Sequence, residues 1–214
     1  MQKIGDFEHW DIVATGPLPE FFVDWHNIAR GALEELERLL AERRNERPVQ
    51  AFLQCHPVIM AQLVRCGWSR WVIPQKRLGD AHTTDFVIGE RDSLGCHWYP
   101  VELESPTAKL FTKAGDPSSA LTHAVRQVQD WRAWLNDNLD YARRDRVDGG
   151  LGLKEIRGDP KGIIIIGRRS MLTRETQRRR QQMSHDLNIE VHTFDHLLDT
   201  SRAVLRQSEH DVTR

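Results

Sequence analysis

Long hydrophobic runs are missing from this chain of 214 residues. The longest wholly aliphatic stretch is Ile163 to Ile166, far short of the ~20 apolar residues a membrane-spanning helix needs. Cysteine is scarce. Cys55, Cys66 and Cys96 are an odd number and form no Cys-x-x-Cys pair, which argues against a disulfide scaffold and a cysteine zinc site and fits a reducing compartment. The opening residues, Met1 to Asp6, lack the apolar segment of a secretory leader. These absences predict a cytoplasmic protein with no membrane partner. An excess of one charge is also missing. The formal net charge is −1, so the whole molecule is not a strongly basic nucleic-acid binder. There is no internal repeat and no low-complexity tract. Neither G-x-G-x-x-G nor G-x-x-x-x-G-K-[ST] occurs, which removes the dinucleotide-binding and P-loop classes.

What is present is a polar but foldable composition, 39% hydrophobic and 29% charged. Its length suits one domain with an appended segment. Charge is unevenly spread. Acids crowd residues 6 to 46, ending with Glu42 and Glu46. Six arginines against the single acid Glu175 occupy 168 to 180: Arg168, Arg169, Arg174, Arg178, Arg179 and Arg180. Such asymmetry can build a phosphate-facing surface on a neutral protein. A solvated, salt-bridged helix face produces the same pattern and is the commoner case.

The periodicities predict a helix over 19–44, a second over 49–66 interrupted at Pro57, and then three short strands. These are Trp68 to Arg77, Thr83 to Ile88 closed by Gly89, and His97 to Glu104 with Pro100 near its start or on an edge. Short turns make the three an antiparallel meander. A long helix follows from a Ser118 or Ser119 cap to about Arg144. Next come an apolar strand at Gly162 to Gly167, a helix at Thr173 to Asp186, a strand at Ile189 to Thr193 and a last helix at Asp195 to Arg206. The strand-helix-strand order implies parallel crossovers. The fold class is α/β, a mixed sheet flanked by helices. Residues 1–47 form an N-terminal helical segment and residues 48–207 the main domain.

Acids inside strands carry the chemistry. Asp85 lies in Thr84-Asp85-Phe86-Val87-Ile88, and Glu102 and Glu104 lie in Val101-Glu102-Leu103-Glu104. Residues two apart on a strand share a face, so Glu102 and Glu104 do, and Asp85 can lie opposite them. Three such carboxylates repel one another unless a cation sits between them, and that repulsion raises at least one pKa. The spacing equally admits a solvent-facing polar hairpin with acids paired to Arg or Lys. The seven tryptophans fit packing, with Trp68, Trp71 and Trp98 in strands and Trp131 in a helix core. His192 and His196 straddle a strand-helix junction without a third partner and read as structural or surface residues.

An Asp in one strand followed by Glu-x-Lys in the next is the pattern of PD-(D/E)xK nucleases, and this chain resembles a variant of it. Several segments more specifically resemble the C-terminal nuclease domain of the Shedu (SduA-like) anti-phage defence family. These are Phe52 to Pro57, Asp85-Phe86-Val87, Val101 to Pro106, Ala124 to Trp131, Ile163 to Arg168 and Thr193 to Leu198. The resemblance implies a restriction-endonuclease-like core and a metal-dependent DNA endonuclease. Asp85, Glu102 and Glu104 would hold Mg²⁺ or Mn²⁺, and Gln127 would help close the site. It also implies a homo-oligomer, with the N-terminal helix a candidate interface. Glu104 stands where the pattern has Lys. Glu104 can serve as ligand or base, Lys109 or Lys113 can supply the missing charge, or catalysis is weakened. The last case leaves an alternative, a nuclease-fold module that binds or senses nucleic acid or a partner protein without cutting. Arg168, Arg169, Arg178, Arg179 and Arg180 are the candidate phosphate contacts.

Overall fold

The computed structural model describes residues 16–42, 46–64, 67–80 and 82–212. Residues 1–15, Cys66 and the last two residues of the first expected helix, 43–44, lie outside them. The helices are α1 (Arg30–Ala41), α2 (Glu46–Cys55), α3 (Pro57–Met60), α4 (Ser119–Asp137), α5 (Leu139–Arg143), α6 (Arg174–Leu187) and α7 (Phe194–Val212). The strands are β1 (Ser69–Pro74), β2 (Arg77–Leu78), β3 (His82–Thr83), β4 (Phe86–Asp92), β5 (Gly95–Leu103), β6 (Gly162–Ile165) and β7 (Ile189–His192). Five strands form one sheet in the order β1-β4-β5-β6-β7. The first three are antiparallel, and β5-β6 and β6-β7 are parallel. This is the expected α/β class, a hairpin half joined to a crossover half.

Alternation along the strands loads both faces of the sheet. Phe86, Ile88, Val101, Leu103, Ile163 and Ile165 point to one layer, where they meet Leu36, Leu53, Ile59 and Phe194 of α1, α2, α3 and α7. Val87, Trp98, Ile164 and Ile166 point to the other layer and meet Leu121, Val128 and Trp131 of α4. A sheet covered on both sides requires continuous apolar strands, and Ile163 to Ile166 is such a strand. The apolar stripe of α1, Ala32, Leu33, Leu36 and Leu40, is buried within the chain. It packs with the C-terminal helix. Among the described residues, no helix is long and apolar enough to cross a membrane.

Several boundaries differ from the sequence reading. The first helix begins at Arg30, not Pro19. Residues 19–21 make a single 3₁₀ turn, Phe22 bridges Trp71, and the Val23 N–H donates to the Arg70 carbonyl at 2.9 Å. The segment lies along the edge of β1, and aromatic burial there outweighs helical spacing. The second helix stops at Cys55 and restarts at Pro57, which occupies the first helical turn where its missing N–H costs nothing. The strand expected to run to Arg77 ends at Pro74. Gln75 turns the chain at φ 44°, and Arg77–Leu78 pairs instead with His82–Thr83. Asp85 is not inside a strand. It sits at a bend immediately before β4.

Gly89 does not close β4, which continues to Asp92. Gly89 lies opposite Trp98, and a Cβ there would meet the indole at 2.5 Å; the glycine makes room for a ring. Pro100 is mid-strand in β5, but β6 pairs only from Val101 onward, so one side of Pro100 is an edge. The long helix breaks at Asn138, with Ser118 as its cap, the Oγ accepting from the Leu121 N–H at 3.1 Å. Trp68 lies outside β1 and is 54% exposed, so it is not a packing residue of that strand.

Candidate functional site

The site lies where β4 begins and β5 ends. Val101 and Leu103 face the α1-side core, so Glu102 points to the α4 layer, where it takes a place otherwise apolar. Phe86 pairs with Val101, so one step further along the register Asp85 comes level with Glu102. Asp85 is fixed from two directions. Its Oδ2 accepts from the Leu103 N–H at 2.8 Å, and its Oδ1 accepts from the Gln50 amide. Gln50 belongs to α2, and the first residue of that helix, Glu46, is close enough to feel the charges of Asp85 and Glu104. From the other layer α4 contributes Gln127, hydrogen-bonded to the Glu102 carboxyl, and His123, whose Nδ1 lies 3.2 Å from Glu104 Oε1.

Four carboxylates therefore converge: Glu46, Asp85, Glu102 and Glu104. Glu102 is 7% exposed. Burial pushes its carboxyl well above the ordinary range, and repulsion from Asp85, Glu104 and Glu46 adds to that. Burial also raises Asp85, against the opposing hydrogen bonds from Leu103 and Gln50. Glu46 is pushed up to about 7, first by burial and then by Asp85 and Glu104. Among the described residues, no lysine or arginine side chain hydrogen-bonds or ion-pairs with Asp85, Glu102 or Glu104. A buried carboxylate without a cation costs several kcal/mol when ionised, so a bound cation would relieve the repulsion among these groups.

Within this group, Glu102, Glu104 and His123 each offer a ligand atom within 4.8 Å of the others. Asp85 stands beside that trio. The donor set of carboxylates and one imidazole fits a divalent cation.

The other singled-out residues lie elsewhere. Lys109 and Lys113 are exposed on the loop after β5. The charges bearing on Glu46, Asp85 and Glu102 come from one another, Glu104, His123 and Arg47, not from either lysine. Arg168 donates to Asp195 at 2.9 Å and to the Leu40 carbonyl at 3.0 Å. Arg169 pairs with Asp199, and Arg179 with Glu175 and the Gly115 carbonyl. Arg178 is exposed on α6 and Arg180 is half-buried there. His192 and His196 stack with ring centroids 4.0 Å apart, far along the sheet on β7 and α7.

Glu46, Gln50 and His123 are not among the site residues that the sequence singles out. Glu46 reads there as one more acid in an acidic segment, and His123 as one of ten scattered histidines. A signal existed for His123: it lies four residues before Gln127, on the same helix face. No such spacing ties Glu46 to Asp85.

A family model described as Shedu protein SduA, C-terminal, matches residues 43–198. Among curated proteins none matches the chain. The matched span starts just before Glu46 and contains every residue of the carboxylate cluster together with Gln127. By that match, over most of its length, the chain belongs to the Shedu SduA C-terminal family.

Proposed function

We propose that the chain is a metal-dependent phosphodiesterase that cuts DNA in bacterial defence against phage. One observation carries the reading: four carboxylates meet at the end of the sheet, Glu102 among them buried, and among the described residues no lysine or arginine side chain bonds to Asp85, Glu102 or Glu104. Family membership agrees with it. Glu102 and Glu104, with Asp85 beside them, are the groups that would hold Mg²⁺ or Mn²⁺. Such an ion, when bound, polarises a phosphate and lowers the pKa of a coordinated water. The chain's own residues do the rest. Leu103 N–H and Gln50 hold Asp85 in one rotamer, Gln127 orients the Glu102 carboxyl, and Glu46 adds charge that keeps the cleft selective for cations. Arg178 and Arg180 on α6 are the basic groups offered to the DNA backbone, giving sequence-independent, salt-sensitive affinity.

Linear and circular DNA incubated with the purified protein in Mg²⁺, Mn²⁺ or EDTA test this. Cleavage should require metal, and Asp85→Ala and Glu102→Ala should each lower it at least ~100-fold, the scale that even disturbing the partner of a metal ligand costs. Metal-independent cleavage, or full cleavage by either variant, overturns the assignment. Glu104 at the motif Lys position favours a second reading, a module that binds nucleic acid without cutting. DNA binding with no cleavage in any metal would support that reading instead.

A further inference from the structure

We infer that His123 is a nitrogen ligand in the cation site, completing a set with Glu102 and Glu104 that favours Mn²⁺ over Mg²⁺. The inference rests on the metal-dependent reading above and adds to it the coordination chemistry and the ion preference.

Geometry comes first. Ligand atoms bound about 2 Å from a common ion lie about 3–4 Å from one another. The potential ligand atoms of Glu102, Glu104 and His123 already lie within 4.8 Å of each other, and His123 Nδ1 is 3.2 Å from Glu104 Oε1. The position of His123 is built rather than incidental. It lies one helical turn before Gln127, the residue that hydrogen-bonds Glu102, so α4 presents both side chains to the same end of β5. The Ser118 cap fixes the start of that helix, and Leu121, Ala124 and Val128 lock it to the sheet. The imidazole itself is about half exposed, free to make the small rotation that ligation needs.

Charge is the second argument. Four carboxylates meet here, and among the described residues no lysine or arginine side chain bonds to Asp85, Glu102 or Glu104. A neutral imidazole adds a ligand without adding negative charge, which suits a site already overloaded with it. Ligand softness is the third. Mg²⁺ demands near-octahedral oxygen coordination, whereas imidazole nitrogen suits first-row transition ions. A carboxylate-only set would show little preference for Mn²⁺; a set with His123 should show a clear one.

The test uses the full chain freed of metal with a chelator, held above the ordinary imidazole range of ~6.5. Mn²⁺ is titrated in and followed by electron paramagnetic resonance, with pulsed measurements reading ¹⁴N coupling from a bound imidazole. The wild-type chain should show ¹⁴N coupling. His123→Ala and His123→Gln should lose that coupling and weaken Mn²⁺ at least ~10-fold, while Mg²⁺, measured by competition, should change less. Two variants at an exposed helix position guard against a folding artefact. Unchanged Mn²⁺ affinity in both, with no ¹⁴N coupling in the wild type and with binding abolished by Glu102→Ala, would overturn nitrogen ligation while leaving the carboxylate site standing. Failure of the wild-type chain to bind either ion would overturn both this inference and the metal-dependent reading.

Discussion

Glu46 shows what a single residue contributes to pH behaviour. Its carboxyl is raised from the ordinary 4.5 to about 7, chiefly by burial. In the folded chain it therefore keeps a proton that the unfolded chain has released between those two values. Where the folded state binds the extra proton, stability falls as pH rises. Glu46 thus stabilises the metal-free fold fully below about pH 4.5, and that contribution is lost as pH climbs to about 7. Melts of metal-free protein should show a falling Tm across this window, and Glu46→Gln should flatten the fall. An unchanged slope in the variant would mean that burial at this position does not raise the Glu46 carboxyl.

Glu104 is the second residue to test at this scale. Glu104→Ala removes a carboxylate from the trio with Glu102 and His123, and cleavage should drop at least ~10-fold. Glu104→Lys restores the family's charge pattern and should retain more activity than the alanine variant. Equal activity in wild type and Glu104→Ala would make Glu104 a bystander acid.

At the scale of elements, the hairpin half of the sheet depends on one close approach. Gly89 in β4 makes room for the indole of Trp98 in β5, whose Nε1 donates to the Lys154 carbonyl at 2.6 Å. Gly89→Ala pushes a methyl into that ring and should cost about 1–3 kcal/mol, the range for overpacking a core, read by chemical denaturation. Trp98→Ala in the same background should reduce the added penalty, since the clashing ring is then gone. Arg168 joins elements far apart in sequence, the end of α1 through the Leu40 carbonyl and the start of α7 through Asp195. At 25% side-chain exposure the Arg168-Asp195 pair is shielded from solvent. Arg168→Ala leaves Asp195 without its guanidinium partner and should cost about 1–3 kcal/mol, with DNA affinity altered less than stability.

For the molecule as a whole, the proposed DNA contact is a question of salt. Net charge is −1, so any affinity must come from a local basic face. Each phosphate contact removed should reduce the slope of log affinity against log salt by about 1. Arg178→Ala should do this, whereas Arg169→Ala, which breaks an ion pair with Asp199, should change the slope less. Equal slopes for wild type and Arg178→Ala would move the DNA path away from α6.

The sequence by itself determined the element order and the layer each strand residue serves. Period-two alternation sent Val101 and Leu103 to one core and Glu102 to the other layer, and the isoleucines of β6 could only be buried on both faces. It also picked out Asp85, Glu102 and Glu104, because acids amid β-branched residues are costly and conspicuous. Gln127 was legible from the family resemblance. Local pattern failed where packing competed with it. The helical spacing over 19–29 yielded to the edge of β1, and Gly89 looked like a stop because the ring it accommodates sits on another strand. Only the tertiary structure brought Glu46, Gln50 and His123 to the carboxylates. Glu46 and Gln50 arrive from α2, some 35 to 56 residues before Asp85 and Glu102, and His123 crosses from α4. Charge repulsion and ligand geometry act through space, and the distances that govern them exist only once the two helical layers close over the sheet.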